Sequence, residues 1–122
     1  MINVGIFTGY YPYTLDETIA RIKQVGMGCI QLDLEFKDID LRRNHITKKK
    51  AHLVRDAFRR ANLPIVAISA YTNRVHPDPI KRAENIAAVK ETLSYARDFG
   101  APYIISETGT YNLESDWLYD KK

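Results

Sequence analysis

Two glutamates end apolar segments of the chain, where their carboxylates could move protons. Glu107 ends the segment that begins at Tyr103 and lies two residues before Gly109, and Glu35 ends the segment that begins at Cys29. Paired carboxylates serve enzymes as general acid and base. Glu107 could also bind a sugar hydroxyl or act as an accessory metal ligand. Alternatively, Glu107 is a turn residue whose carboxylate caps nearby amides. Glu35 is alternatively a solvated or salt-bridged residue at the rim.

Three further side chains are candidates for ligand contacts. Tyr10 belongs to an aromatic loop, residues 9–13, whose rings could stack on a sugar or simply pack the loop. Asn73 could contact a substrate or order its own loop through an Asx turn. His76 precedes Pro77, and a lone imidazole is only weak evidence for a metal site. The sequence assigns none of these residues a catalytic role.

The composition excludes several classes of protein. The chain has 122 residues, of which 45% are hydrophobic and 27% are charged, as in an ordinary globular domain. Its single cysteine, Cys29, rules out a disulfide scaffold and a multi-cysteine zinc site. The longest apolar run, residues 64–70, is too short to span a bilayer, and no segment has the pattern of a signal peptide. We therefore expect a cytoplasmic protein without a membrane partner.

Positive charge is concentrated in one segment. Residues 42–60 contain eight Lys or Arg and one acidic residue, Asp56, in a chain with a net charge of +3. Such a cluster can bind nucleic acid. The more frequent explanation is a solvated helix face, and the helix predicted here lies outside the predicted sheet. We therefore do not expect nucleic acid as a partner.

Strand and helix periods alternate along the chain. Apolar alternation predicts strands at residues 2–7, 29–35, 65–70 and 103–107. Helical spacing predicts a helix after the Thr14–Glu17 capping box, a second over residues 47–61, and a third that begins at the N-cap Asp78 and has Ile80, Ile86 and Leu93 among its inward residues. Gly26, Asn62 and Gly100 end the helices in one repeated frame, 36 and 38 residues apart. The repeat predicts parallel strands.

Three observations favour a barrel over an open, doubly wound sheet. The first two strands have one apolar and one polar face, whereas central strands of an open sheet are apolar on both faces. No phosphate-binding glycine motif follows the first strand. The sequence predicts a polar loop without a helix over residues 108–122. Gln31 and Asp33 lie on the polar face, where we expect them to be hydrogen-bonded within the barrel.

A complete (β/α)₈ barrel takes about 250 residues. The predicted fold is therefore α/β, the N-terminal half of a TIM barrel, about (βα)₄, as one partial domain over residues 1–122. Barrel chemistry lies at the carboxyl ends of the strands. This places the five candidates for substrate binding around one mouth: Tyr10, Glu35, Asn73, His76 and Glu107. A half barrel would expose strand edges, so we expect either self-association through these edges or an incomplete product.

Four segments, in their order and spacing, resemble a known family. They are residues 26–32, 73–79, 96–104 and 106–110. The chain resembles the N-terminal half of the sugar phosphate isomerase/epimerase family, the xylose-isomerase-like TIM barrels that also include apurinic/apyrimidinic endonucleases. The resemblance implies interconversion of a small sugar, sugar phosphate or polyol by proton transfer next to a carbonyl. It also implies a divalent ion (Mn, Mg or Zn) that stabilises the enediolate in the full-length barrel.

In that family the metal ligands lie on later strands, at positions beyond the matched half. The resemblance therefore implies no metal in this chain alone and no activity of the half barrel by itself. Two alternatives stay open. One is a nucleic-acid enzyme of the apurinic/apyrimidinic endonuclease type, and the other is a non-catalytic half-barrel module that dimerises.

Overall fold

The computed structural model describes residues 2–9 and 13–112. They form one sheet of four parallel strands with three helices between them. The strands are β1 (Gly5–Phe7), β2 (Cys29–Leu32), β3 (Ile65–Ser69) and β4 (Ile104–Ile105). The helices are α1 (Leu15–Gln24), α2 (Lys48–Arg60) and α3 (Pro79–Tyr95). Each strand pairs with the next one in sequence, without the reversal of order that defines a doubly wound sheet. The predicted α/β half barrel is confirmed.

The helices begin at the residues that the sequence predicts. Thr14 and Glu17 form a reciprocal capping box, in which the Glu17 amide donates to Thr14 Oγ1 at 3.2 Å and the Thr14 amide donates to Glu17 Oε2 at 3.0 Å. Thr47 caps α2, and the Asp78 carboxylate accepts from the Ile80 amide at 2.8 Å at the start of α3. These side chains satisfy backbone donors that have no partner within the helix.

The repeated helix ends are also present. Gly26, Asn62 and Gly100 all have left-handed backbones, with φ values of 73°, 57° and 74°. Each of them reverses the chain after a helix so that the next strand can start a few residues later. The common frame explains why successive strands enter the sheet from the same end.

The core lies between one face of the sheet and the helices. Its fully buried side chains come from β2, β3, α2 and the segment after α3, and the largest are Ile30, Leu32, Ile68, Phe58 and Phe99. The opposite face of the sheet is the inner face of the half barrel. It carries Gln31 on β2 and Ser69 on β3, which makes it the polar face.

The second strand is shorter than predicted. It ends at Leu32, and the prediction that alternation continues inward to Glu35 is wrong. Thr8 Oγ1 accepts a hydrogen bond from the Asp33 amide at 2.8 Å, and the Lys37 amide donates to the Tyr13 carbonyl at 2.9 Å. These bonds turn the chain away from the sheet. Glu35 is therefore exposed in a loop, where it forms an isolated antiparallel bridge with Asp40.

The third helix buries less than predicted. Ile80, Ile86 and Leu93 were expected to face inward, but they are 71%, 38% and 62% exposed. The helix and the turn after it contact the core mainly through Thr92, Ala96 and Phe99. Within the described residues nothing covers the remaining apolar side of α3. The prediction that these three residues face inward is therefore wrong, because the periodicity does not show whether a covering element is present.

Candidate functional site

A hydrogen-bonded cluster lies at the carboxyl ends of β2 and β3. Gln31 Nε2 donates to Ser69 Oγ at 3.0 Å and to the hydroxyl of Tyr71 at 2.7 Å. Gln31 and Ser69 stand on adjacent parallel strands, and Tyr71 follows Ser69 by two residues on the same face. The sequence expectation that Gln31 is hydrogen-bonded inside the barrel is confirmed.

An aromatic pair joins β1 to this cluster. Phe7 is the register partner of Gln31, and its ring meets Tyr71 edge to face, with 5.9 Å between the ring centroids and a 66° angle between the planes. The two rings form an apolar surface beside the polar atoms of Gln31. A mouth that combines such a surface with a few directed polar groups is typical of small-molecule sites.

The cluster leaves hydrogen-bonding capacity for a ligand. The Tyr71 hydroxyl accepts from Gln31, so its own hydrogen can be donated elsewhere. The amide oxygen of Gln31 is likewise an acceptor without a hydrogen-bond partner among the described residues. Gln31 therefore orients the phenol, and together the two side chains present one donor and one acceptor.

Asp33 is the carboxylate closest along the chain to this cluster. It is half-buried at the end of β2, and burial raises the pKa of its side chain. The Leu34 amide acts in the opposite direction, and the negative charge of Glu35 raises the pKa further. Burial penalises the charged form because the protein solvates a carboxylate less well than water does.

Asn73 connects the loop after β3 with the loop after β4. Its Oδ1 accepts from the Val75 and Thr110 amides at 3.2 and 3.1 Å, and its Nδ2 donates to the Thr110 carbonyl at 2.6 Å. A Cβ atom on Gly109 would collide with the Asn73 side chain. The predicted Asx-type ordering of the loop is present. The substrate contact proposed for Asn73 stays a prediction.

Glu107 is held through its backbone. Its carbonyl accepts from Arg74 Nε at 3.0 Å and from Arg74 Nη2 at 2.7 Å. Its side chain is exposed, and the carboxylate makes no hydrogen bond within residues 2–9 and 13–112. Glu107 and Asn73 therefore belong to one loop pair. The carboxylate does not cap local amides there, and its role toward a ligand stays a prediction.

His76 is buried at the approach to α3. Its Nδ1 accepts from the Asp78 amide at 3.0 Å, so the ring hydrogen of the neutral side chain is on Nε2. The carbonyl of His76 accepts from Arg82 at 2.7 Å. These bonds fix the turn that leads into the helix, and the assignment of His76 to substrate binding stays a prediction.

The structure brings the five predicted site residues together only in part. Asn73 and Glu107 share one loop pair, His76 starts α3, Glu35 lies in the loop after β2, and Tyr10 lies outside the described residues. Tyr71, which is not among the five predicted residues, makes the central contacts. The signal that identifies it is the same-face spacing of Ser69 and Tyr71 beside Gln31 on the neighbouring parallel strand.

The described side chains do not make a site for a divalent metal. No three His, Cys, Asp or Glu side chains of residues 2–9 and 13–112 come together. Divalent ions in proteins need several such ligands, so these residues do not fit the metal that the family implies.

Much of the basic segment is engaged within the fold. Arg42 pairs with Asp40 at 2.8 Å, Lys50 donates to two backbone carbonyls, and Arg55 pairs with Asp56 at 3.0 Å. The Arg42 guanidinium holds the pKa of Asp40 well below its usual range. None of the helices in the described part of the chain is both long and apolar enough to span a bilayer.

Solved structures share this fold at low sequence identity. 3-Keto-D-glucoside 4-epimerase from E. coli has a TM-score of 0.66 and 15% identity, over 89% of this chain and 39% of that chain. D-psicose 3-epimerase, solved in the presence of D-fructose, has a TM-score of 0.61 and 16% identity, over 98% and 40%. A xylose isomerase domain protein from Planctomyces limnophilus has a TM-score of 0.59 and 17% identity, over 84% and 39%. The chain spans about two fifths of each of these structures.

Sequence comparison agrees with the fold. No curated protein matches the chain. The sequence model for xylose isomerase-like TIM barrels matches residues 19–121, which is most of the chain and includes β2, β3 and β4. The chain therefore belongs to the xylose isomerase-like TIM-barrel family.

Proposed function

We propose that this chain supplies the substrate-binding half of a sugar isomerase or epimerase. The complete barrel would interconvert a small sugar or polyol by proton transfer next to a carbonyl. The observation that carries the proposal is the cluster of Gln31, Ser69 and Tyr71 at the carboxyl ends of parallel strands, where barrel enzymes hold their substrates. The sugar epimerases among the similar structures support the same class of substrate.

The cluster suits a neutral, hydroxyl-rich ligand. The phenol of Tyr71 would donate to one oxygen, and the Gln31 amide oxygen would accept from a neighbouring hydroxyl. The Phe7 ring would cover the C–H face of the ligand and exclude water from these hydrogen bonds. The part of this chain in the reaction is thus to bind and orient the carbonyl carbon and its neighbour. Because the described residues hold no metal site, we propose binding without turnover for this chain alone.

Binding of D-fructose to the ¹⁵N-labelled chain tests the proposal. We expect weak, saturable shifts of the Gln31 side-chain amide and the Ser69 amide in NMR spectra. Tyr71→Phe keeps the ring that packs on Phe7 but removes the hydroxyl, and should weaken binding about threefold to tenfold, the value of one hydrogen bond.

Tyr103→Phe is the matched control. Tyr103 is exposed and precedes β4, at the opposite end of the sheet from Tyr71. Its replacement should leave the affinity for D-fructose unchanged. The proposal fails if D-fructose, related ketohexoses and inositol all leave the wild-type spectrum unchanged, or if the two Tyr→Phe variants weaken binding equally.

A further inference from the structure

Asp33 is a carboxylate at the mouth that neither caps a helix, as Asp78 does, nor pairs with a cation, as Asp40 does. It follows Gln31 by two residues, just after the end of β2, and its amide donates to Thr8 Oγ1 at 2.8 Å. The β1–β2 register pairs Phe7 with Gln31, and its continuation brings Gly9 beside Asp33. The Asp33 carboxylate therefore lies next to the Gln31 cluster, on the side toward the solvent at the mouth.

Gly9 leaves the space in which this carboxylate lies. A Cβ atom on Gly9 would be 3.0 Å from Asp33 Oδ2 and would collide with the Phe7 ring. The absence of a side chain at this position therefore lets a carboxylate and an aromatic ring share one small volume. Phe7 in turn contacts Tyr71, so the Phe7 ring links the space beside Asp33 to the cluster already described.

No cation among the described residues compensates this carboxylate. The groups that act on it are its own burial, the Leu34 amide and the charge of Glu35. On this face β1 and the turn after it present Phe7 and Gly9, which do not titrate, and β3 and the loop after it present Ser69 and the phenol of Tyr71. A half-buried carboxylate without a cation lowers the stability of the fold, so stabilisation of the fold does not explain its position.

We propose that Asp33 accepts a hydrogen bond from a hydroxyl of the sugar and makes sugar binding depend on pH. The inference rests on the proposed function, since it assigns a second polar anchor to the same ligand. An ionised carboxylate is a stronger acceptor than an amide, so the charged form of Asp33 binds the ligand more tightly. No covalent step is involved. The ligand class is a neutral sugar or polyol with a hydroxyl beyond the one that Tyr71 contacts.

The test compares Asp33→Asn with Glu84→Gln in the binding of D-fructose at pH 7. We expect Asp33→Asn to weaken binding about tenfold, since it replaces a charged hydrogen bond by a neutral one. Glu84 is an exposed carboxylate on α3, away from the mouth, and its replacement should leave the affinity unchanged. In wild-type chain, saturating D-fructose should also lower the pKa of Asp33 measured from its ¹³Cγ resonance.

The stability of the Asp33→Asn variant distinguishes a role of Asp33 in sugar binding from a role in holding the fold together. Burial raises the pKa of Asp33 above 3.8, so its contribution to stability is present below pH 3.8 and is lost as the pH rises through the higher pKa of the folded state. Asp33→Asn should therefore make the chain more stable at pH 7 while weakening the binding of the sugar. A purely structural Asp33 would instead give a destabilised variant.

The outcomes distinguish the two proposals. If wild-type chain binds D-fructose and Asp33→Asn binds it equally well, the inference about Asp33 is wrong and the proposed function stands. If wild-type chain binds no sugar, the proposed function fails and the inference fails with it. If Asp33→Asn weakens binding but D-fructose leaves the pKa of Asp33 unchanged, the carboxylate does not contact the sugar and the inference is overturned.

Discussion

The centre and the edges of the sheet differ sharply in how well they are packed. Around β2, β3 and α2, the side chains of Leu32, Ile68 and Phe58 are fully buried. At the edges, Leu93 on α3 is 62% exposed, and an open groove of about 260 Å³ lies between β1 and α1. The difference follows from neighbours, because a barrel strand needs a strand on each side and helices over its outer face.

The comparison indicates that the exposed apolar residues at the edges form surfaces that another segment could cover. Ile6 and Val25 line the groove at β1, and Ile86 and Leu93 lie on the uncovered side of α3. Soluble proteins do not usually leave contiguous apolar surface open. We expect these surfaces to be covered in the functional protein, either by a second copy of the chain or by a further segment of a longer protein.

The largest effect should come from the centre of the core. Phe58→Ala should lower the free energy of unfolding by about 3–5 kcal/mol, because it removes a fully buried aromatic side chain and leaves a cavity. Leu93→Ala at the edge should change it by less than about 0.5 kcal/mol, as for an exposed position. Urea denaturation followed by circular dichroism measures both. Equal losses would show that α3 is as well packed as α2.

The next effect concerns the open edges. We expect the 122-residue chain to self-associate, because a twofold pair could place β4 of each copy beside β1 of the other and close eight parallel strands. Ile105→Lys places a charge on β4 and should weaken association about tenfold, or about 1.4 kcal/mol. Leu53→Lys, on an exposed position of α2, is the control and should leave the mass distribution unchanged. Light scattering that shows only single chains for the wild type contradicts this expectation.

The smallest effect is a pH dependence at the edge. The Ile80 amide lowers the pKa of Asp78 below 3.8, so its contribution to stability is present above that pH and lost as the pH falls through the pKa of the folded state. Asp78→Asn keeps a cap at every pH. The α3 amides should therefore be better protected from hydrogen exchange in the wild type than in Asp78→Asn at neutral pH. This difference in protection should become smaller as the pH falls. A constant difference between the two proteins would show that Asp78 is not the acid-sensitive group.

The local features of the fold could be predicted because each depends on a few neighbouring residues. The Thr14–Glu17 capping box, the Asp78 N-cap and the left-handed Gly26 are all present. The burial of α3 could not be predicted from its periodicity. An apolar stripe indicates a face that tends to be covered, and only the tertiary structure shows whether a covering element is there.

The site was harder to predict, since it depends on register and on hydrogen bonds across strands. Glu35 was expected at the mouth. However, the Asp33 amide donates a hydrogen bond to the Thr8 hydroxyl, and β2 ends at Leu32, before Glu35. Tyr71 gained its central place only through the bond with Gln31, which lies 40 residues away in the chain. Alternation predicts which face a residue occupies, and it does not predict where the strand stops.

The sequential order of the strands has a consequence for how the chain folds. The register pairs join Gly5 with Cys29, Ile30 with Ile65, and Ile68 with Ile104, so every pairing closes a loop of similar, moderate length. Loop-closure entropy grows slowly, by about 0.6 kcal/mol for each doubling of length, so no pairing is much more costly to form than another. We expect the β2–β3 pair to form first with α2, because these elements carry most of the large, fully buried side chains. The outer strands can then add to it one at a time, as repeats add to a growing solenoid.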